Sequence, residues 1–110
     1  MPKAVVVVIS QPSSPEREDE YNQWYDERHI PEVCDVPGFT GARRFKLADN
    51  GLMPNDPSAP QYLAIYEMDC DDPVAAVAEM ATRAGDGRIY MSDAICMDPV
   101  PEMRLYLQRD

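Results

Sequence analysis

The sequence predicts one α+β domain in which four strands and two helices follow the order β-α-β-β-α-β. Three features indicate it. A continuous β-branched tract lies near the start, later tracts alternate apolar and polar side chains, and two helical segments each begin with a proline after a polar residue. This order gives a four-stranded antiparallel sheet of the ferredoxin-like type. A chain of 110 residues has room for one core only, so residues 1–110 are expected to form a single domain.

The first strand is predicted over residues 4–9, because an unbroken β-branched run is typical of a strand covered on both faces. Six apolar residues are too few for a signal-peptide core or a membrane span. A polar loop follows up to Pro15. Ser14 and Pro15 then begin a helix, and the acidic residues after them favour its positive N-terminal end.

That helix is expected to run to about Ile30, where Pro31 stops or kinks it. At 100° per residue its inward face carries aromatic and polar side chains instead of aliphatic ones, which is the most informative feature of the chain. The opposite side of the helix carries polar residues and should face water. The residues of that inward face are Tyr21, Trp24, Tyr25, Arg28 and His29, and those of the opposite side are Asn22, Gln23, Asp26 and Glu27.

The second half of the chain predicts two strands, a helix and a last strand. The strands cover residues 39–47 and 61–68, and the loop over 48–60 between them is either a functional lid or a surface insertion. The second helix starts at Pro73 after Asp71 or Asp72 and ends before Gly85. Residues 88–97 are expected to hold a further short helix, and residues 103–107 the last strand. The apolar stripe of the second helix is expected to be Val74, Val77, Ala78 and Ala81.

Two helices on one face would leave the other face of the sheet bare. Apolar and aromatic side chains occur on both sides of the predicted strands, so the second face should be covered as well. Pairing with a second copy of the chain is the simplest cover, and a homodimer is therefore expected.

The charge of the chain disfavours two classes of partner. With 20 acidic and 10 basic residues the formal net charge is −10. Such a surface repels nucleic-acid phosphates and anionic lipid, so neither nucleic acid nor a membrane is expected as a partner. The acidity is interpreted mainly as a contribution to solubility.

The three cysteines and the missing motifs make further predictions. Cys34, Cys70 and Cys96 form no C-x-x-C pair, and an odd count favours a reducing, cytoplasmic location over a disulfide framework. No metal-ligand spacing joins them to His29, so no metal site is expected. Dinucleotide, P-loop, serine-hydrolase and zinc signatures are absent from the sequence, and no cofactor is expected.

Four tracts of the chain resemble the EthD-like branch of the dimeric α+β barrel superfamily. They are YNQWYDERHIPEV at residues 21–33, VPGF at 36–39, ARRF at 42–45 and YLAIYE at 62–67. The resemblance implies a homodimer of two ferredoxin-like domains. Members of this superfamily include cofactor-free monooxygenases, cyclases, dehydratases, isomerases and haem-degrading enzymes, so it implies no single reaction.

His29 is the candidate catalytic acid or base, because its ordinary pKa is nearest neutrality. Tyr25 or Tyr21 is suited to donate a hydrogen bond to a carbonyl or enolate oxygen, and Trp24 to stack on a flat substrate. Arg44 is suited to bind a carboxylate or phenolate, and alternation lets only one of Arg43 and Arg44 point inward. Phe39 and Tyr66, which lie in the matching tracts, complete the candidate substrate-binding set.

Each candidate also has a structural interpretation. His29 can be a hydrogen-bonded structural residue, and Trp24 and Tyr25 can serve packing alone. Arg43 and Arg44 can pair with the acidic first turn of the helix. Asp26 is expected on the surface, with orientation of His29 as an alternative role.

Three functions remain open from the sequence. One is a cofactor-free enzyme acting on a small aromatic or polyketide-like molecule by cyclase, dehydratase, isomerase or lyase chemistry, with His29 moving a proton. Another is a haem-binding or haem-degrading protein or other monooxygenase, with His29 as axial ligand in the haem case. The last is a non-catalytic protein that binds small molecules.

Overall fold

The strands of the computed structural model, which describes residues 3–109, form one four-stranded antiparallel sheet. They are β1 (Lys3–Ser10), β2 (Phe39–Lys46), β3 (Tyr62–Asp69) and β4 (Glu102–Leu107). The order across the sheet is β2-β3-β1-β4. In the register, Val6 of β1 lies opposite Tyr66 of β3 and Leu105 of β4. The predicted α+β, ferredoxin-like fold is confirmed.

The first helical segment continues beyond Pro31, so the prediction that Pro31 stops it is wrong, while a kink there stays a prediction. A 3₁₀ turn (Pro15–Arg17) leads into α1 (Glu18–Trp24), a π-helical turn (Tyr25–His29) and α2 (Ile30–Cys34). At the end of the π turn the N–H of Ile30 donates to the carbonyl of Tyr25. The wider turn changes the local hydrogen-bond spacing and accommodates a proline that lacks an N–H.

The second long helix, α3 (Pro73–Asp86), begins as predicted and ends later. The Asp72 carboxylate accepts from the N–H of Ala75 at 3.1 Å. Gly85 lies inside the helix, and Gly87 ends it with a φ of +91°.

The apolar stripe of α3 also differs from the predicted one. Of the predicted stripe, Val77 packs on the core, whereas Val74, Ala78 and Ala81 are exposed. Helical spacing alone is compatible with the predicted stripe and with the observed one, and the two stripes share Val77. The residues that pack inward are Pro73, Ala76, Val77, Met80 and Ala84.

Residues 88–97 form no helix, contrary to the prediction. This segment hydrogen-bonds to the loop after β1 instead: the N–H of Ser13 donates to the carbonyl of Ala94 at 2.6 Å, and that of Cys96 to Gln11 at 2.9 Å. Ile89, Ala94 and Ile95 are buried at a spacing that fits neither a helix nor a strand. The segment therefore packs on the core with three buried apolar side chains but without regular secondary structure.

Gly38 forms the bend before β2 under two constraints. Its φ is +104°, which favours glycine. A Cβ at this position would also lie 3.1 Å from Cys70 Sγ and 3.3 Å from Ala76 Cβ. The bend therefore brings β2 close to α3, and a β-bulge between Phe39 and Gly41 follows it.

The face of the sheet opposite the helices, which we call the outer face, is rich in apolar side chains and only partly covered. Seven apolar residues of β1, β2, β3 and β4 lie on it: Val5, Val7, Ile9, Phe45, Leu63, Ile65 and Tyr106. Phe45 is 45% exposed and Tyr106 is 52% exposed. Within residues 3–109, no helix has the length and apolar character needed to cross a membrane.

The segment between β2 and β3 lies on the surface, and its proposed role as a lid stays a prediction. Residues 47–58 are exposed, Leu52 to 91%. The side chains of this loop cap its own backbone: Asp49 accepts from the N–H of Gly51, and Asn50 from that of Leu52.

Candidate functional site

His29 is the last residue of the π turn and packs against aromatic rings. Its ring centroid lies 4.6 Å from that of Trp24, 5.0 Å from that of Tyr25 and 6.3 Å from that of Tyr66. The ring of Tyr66 in turn lies edge-on to Phe39 at 6.3 Å. We call the rings between helix and sheet the aromatic cluster: Tyr21, Trp24, Tyr25, Phe39, Tyr62 and Tyr66. π turns inside helices occur frequently at functional sites.

The imidazole of His29 is neutral at physiological pH. Burial lowers its pKa to about 4, Arg44 acts in the same direction, and Glu32 opposes the shift. Nδ1 of His29 is buried and has no hydrogen-bond partner within residues 3–109. A buried nitrogen without a partner costs on the order of 1–3 kcal/mol, so a functional explanation is warranted.

Arg44 places a positive charge at the aromatic cluster. Its side chain is 12% exposed, and its guanidinium carbon lies 4.2 Å from the centroid of Tyr25 and 5.1 Å from that of Tyr62. Nη1 donates to Asp26 at 2.9 Å and Nη2 to Asn22 at 2.8 Å. Nε is buried and lacks a hydrogen-bond partner among the residues that the structure describes.

Alternation along β2 separates the two arginines, as predicted. Arg44 lies on the helix side of the sheet, opposite Ala64, whereas Arg43 lies on the outer face, opposite Ile65. Arg43 pairs there with Glu67 at 3.1 Å. The expected pairing of either arginine with the first turn of the helix is not what the structure shows, because Arg44 bonds Asp26 and Lys46 pairs with Glu18 at 3.2 Å.

Four buried hydroxyl groups meet beside Arg44. The hydroxyls of Ser10 and Tyr21 lie 2.6 Å apart, and the hydroxyl of Tyr66 donates to that of Tyr25 at 3.3 Å. Burial raises the pKa of Tyr21 to about 12 and also raises those of Tyr25 and Tyr66. All three tyrosines are therefore neutral, and their hydroxyls are available as hydrogen-bond donors.

The polar rim of the cluster connects the helix to β3. The hydroxyl of Tyr62 donates to the carboxylate of Glu18, and Asn22 Nδ2 donates to Tyr62 at 3.1 Å. The hydrogen bond from the Tyr62 hydroxyl is the main reason why the pKa of Glu18 is lowered. Asn22 therefore contacts both Tyr62 and Arg44, and it fixes the guanidinium relative to the sheet.

The structure brings the candidate site residues together around His29 and Arg44. They are Tyr21, Trp24, Tyr25, His29, Phe39, Arg44 and Tyr66. The indole N–H of Trp24 donates to the carbonyl of Tyr90 at 3.0 Å, so this donor is already bonded within the protein. The roles assigned to these residues stay predictions.

One inference from the helical wheel needs correction. Arg28 is exposed, pairs with Glu32 at 2.9 Å and lies over the ring of Tyr90, because the π turn carries one more residue than an α turn and shifts the inward face to His29 and Ile30. Asp26 is largely exposed, as the wheel predicts, and its carboxylate bonds Arg44.

Sequence reasoning missed three polar residues that contact the site. Asn22 was assigned to the solvent side, Ser10 to a loop, and Tyr62 to a strand without a role. A signal for Ser10 was present: it continues the alternation of Ala4, Val6 and Val8 on β1.

Two surface clefts, through which a ligand could approach the protein, lie at the two ends of β1. One of about 200 Å³ lies at the end of β1, and Ser10 forms part of its wall. Another of about 510 Å³ lies near the start of β1 and includes none of the site residues. His29 lines neither cleft. Residues 3–109 contain no group of three histidine, cysteine or acidic side chains arranged to hold a metal ion.

Comparison with known proteins matches most of the chain to one family. The profile of the family described as "EthD domain" matches residues 14–94. No significant match is found among curated proteins.

Three solved structures share the fold at low sequence identity. An ethyl tert-butyl ether D (EthD) family protein from Bacillus halodurans C-125 is 10% identical, with a TM-score of 0.57 and coverage of 96% of each chain. A protein proposed as a monooxygenase from Shewanella loihica PV-4 is 16% identical (TM-score 0.58), over 96% of this chain and 94% of the other. A dimeric ferredoxin-like protein from Jannaschia sp. CCS1 is 16% identical (TM-score 0.52), over 93% and 97%.

Proposed function

Because the chain belongs to the EthD domain family, we propose that it is an enzyme acting on a small, flat organic molecule, with His29 as the base that removes a proton. Enolisation of a carbonyl compound, the step shared by many cyclase, dehydratase and isomerase reactions, is the reaction we assign. It needs a base next to the substrate carbon and a group that stabilises the negative oxygen formed.

The buried Nδ1 of His29 is the observation that carries this proposal. Because burial holds the pKa of His29 near 4, the imidazole is neutral at neutral pH and can accept a proton. Nδ1 forms no hydrogen bond within residues 3–109, so a substrate bonded to it would not displace a protein partner. The rings of Trp24 and Tyr25 beside it are suited to a flat substrate.

Arg44 is suited to stabilise the negative charge that develops on the substrate. Its guanidinium stacks on Tyr25, whose ring also contacts His29 edge-on, so base and cation both contact one ring. In a dry aromatic environment a fixed positive charge acts more strongly than in water. In this mechanism the proton moves to His29 while the electron pair of the C–H bond becomes the enolate.

The pH dependence tests the proposal. With 2′-hydroxyacetophenone as the probe, deuterium replaces the methyl hydrogens in D₂O, and proton NMR follows the loss of the methyl signal. We expect the protein-catalysed rate to be constant above about pH 5 and half-maximal near pH 4, because His29 is neutral only above its pKa. A half-maximal rate near pH 6.5, the ordinary value for a solvated histidine, would contradict the role of a buried base.

We also propose that the protein is a homodimer that buries the outer face. The half-buried apolar residues of β1 and β3 and the exposed Phe45 and Tyr106 support this assembly. The Jannaschia protein of the same fold is described as dimeric. A soluble monomer rarely exposes so much contiguous apolar sheet.

Haem binding by His29 receives less support, because the rings of Trp24 and Tyr25, at 4.6 and 5.0 Å from the imidazole, leave it little space for a macrocycle.

A cytoplasmic location remains part of the proposal, since Cys34, Cys70 and Cys96 are free thiols.

A further inference from the structure

Ser10 introduces a hydroxyl into the apolar face of β1. Its side chain follows those of Ala4, Val6 and Val8 on the helix side of the sheet and is 4% exposed. A buried hydroxyl is costly unless it is hydrogen-bonded, and Ser10 bonds to Tyr21 at 2.6 Å. An apolar residue at this position would satisfy the strand pattern equally well, so the strand pattern alone does not explain the serine.

The hydroxyl groups around Ser10 use only part of their O–H donors. Two hydrogen bonds join the four hydroxyls in two pairs, Ser10 with Tyr21 and Tyr66 with Tyr25, so two of the four O–H groups have no acceptor within residues 3–109. Nε of Arg44 adds another donor without an acceptor in the described part of the chain. The carboxylates nearby, Glu18 and Asp26, bond other groups.

The unused donors lie close to one another. The guanidinium carbon of Arg44 is 5.4 Å from the centroid of Tyr21 and 4.2 Å from that of Tyr25. Interaction with Arg44 also partly offsets the rise in the pKa of Tyr21 that burial causes. A centre with spare donors and a positive charge is suited to an oxygen atom that carries negative charge.

The cleft of about 200 Å³ at the end of β1 borders this centre at Ser10, the wall residue that also bonds the aromatic cluster. Prolines and aliphatic side chains form most of its walls, and Gln11, Ser58 and Glu102 add polar groups. Its lining includes Ile9, Ser10, Gln11, Pro60, Cys96 and Pro101. The size and lining are suited to one small ring compound.

We propose that Ser10 is a further residue of the site: with Tyr21 and the Nε–H of Arg44 it binds the oxygen of a phenolate or enolate that enters through this cleft. This assignment of substrate class rests on the proposed function. It favours a single charged oxygen over a carboxylate, because Nη1 and Nη2 of Arg44 already bond Asp26 and Asn22. The two-nitrogen fork that suits a carboxylate end-on is thereby occupied.

Binding of p-nitrophenol tests the assignment, since its phenolate has a visible absorbance. We expect the wild-type protein to bind the phenolate and to lower the apparent pKa of the probe. Ser10→Ala should weaken phenolate binding about 10-fold, because a hydrogen bond to a charged group is lost. Ser10→Thr, which keeps the hydroxyl, should restore most of the affinity. Ser13→Ala, which removes an exposed serine hydroxyl from the following loop, is the matched control.

A second variant distinguishes a direct loss of phenolate binding from a folding defect. Ser10→Ala leaves the Tyr21 hydroxyl without its partner, whereas Ser10→Ala combined with Tyr21→Phe removes both groups of the pair and should fold normally. The folded double variant should bind phenolate as weakly as Ser10→Ala or more weakly.

The outcomes distinguish this inference from the proposed function. Absence of phenolate binding by the wild type, or equal affinity in the wild type and the folded double variant, would overturn the role of Ser10. His29→Gln should retain phenolate binding while losing deuterium exchange. If His29→Gln retains exchange, the base assignment fails, and the phenolate result still decides the role of Ser10.

Discussion

Replacement of His29 by glutamine is expected to lower the rate of deuterium exchange into 2′-hydroxyacetophenone by about 10²- to 10⁴-fold, the usual contribution of a positioned base. Glutamine fills a similar volume and is polar, but its amide does not accept a proton near neutral pH. The comparison is made by proton NMR at pH 7, where His29 is neutral in the wild type because its pKa is about 4.

Arg28→Gln is the matched control for this experiment. Arg28 lies on the same π turn, is exposed and pairs with Glu32, so its loss should leave the exchange rate unchanged. A rate in His29→Gln equal to that of the wild type would reject the role of His29 as the base. Circular dichroism of both variants shows whether the helix is intact.

Introduction of a lysine at Val7 is expected to convert the proposed homodimer into a monomer. Val7 lies at the middle of the outer face, between Ile65 of β3 and Arg104 of β4. Two copies would bury two new ammonium groups without partners, which costs several kcal/mol for each buried ion and should raise the dimer dissociation constant by about 10³-fold or more. Light scattering coupled to size-exclusion chromatography measures the mass.

Val74→Lys provides the control for the same change at another surface. Val74 lies on α3 and is 67% exposed, away from the sheet. This variant should keep the mass of the wild type. A wild-type protein that is already monomeric at micromolar concentration, or a dimer unaffected by Val7→Lys, would contradict the proposed interface.

The strands could be predicted from the sequence because their physical causes are local. The β-branched run at the start of the chain and the alternation around Arg43 and Arg44 follow directly from side-chain direction in a strand. The start of α3 could also be predicted from Asp72 and Pro73, because a helix N-cap and a proline at the first helical position both act within one turn.

The helix that carries His29 shows where periodicity fails. A wheel at 100° per residue assumes unbroken α-helical hydrogen bonds, and the π turn adds a residue that the wheel does not count. The aromatic residues before the turn were placed correctly, whereas Arg28 within it was not. The same turn lets the chain continue through Pro31, which stands in the first turn of α2, where the missing N–H of a proline is tolerated.

The hydroxyl and amide contacts of the site depend on tertiary structure. The partners of Ser10 and Tyr62 lie 11 and 44 residues away along the chain, and Arg44 bonds residues 18 and 22 positions before it. A polar residue beside such a site looks in sequence like any surface residue. Asn22 is the clearest case, since its position on the wheel indicated solvent.

The inward position of Arg44 in so acidic a molecule has a consequence for encounter kinetics. At a distance, an anion meets the field of a chain with net charge −10, and this repulsion extends over a Debye length of about 10 Å at 0.1 M ionic strength. Close to the guanidinium the potential has the opposite sign. The neutral conjugate acid of a phenol or enol therefore approaches without the electrostatic barrier, and ionisation is favoured only after arrival. Added salt should accelerate the association of the anion and leave that of the neutral acid nearly unchanged, the reverse of the salt effect on a ligand steered by attraction.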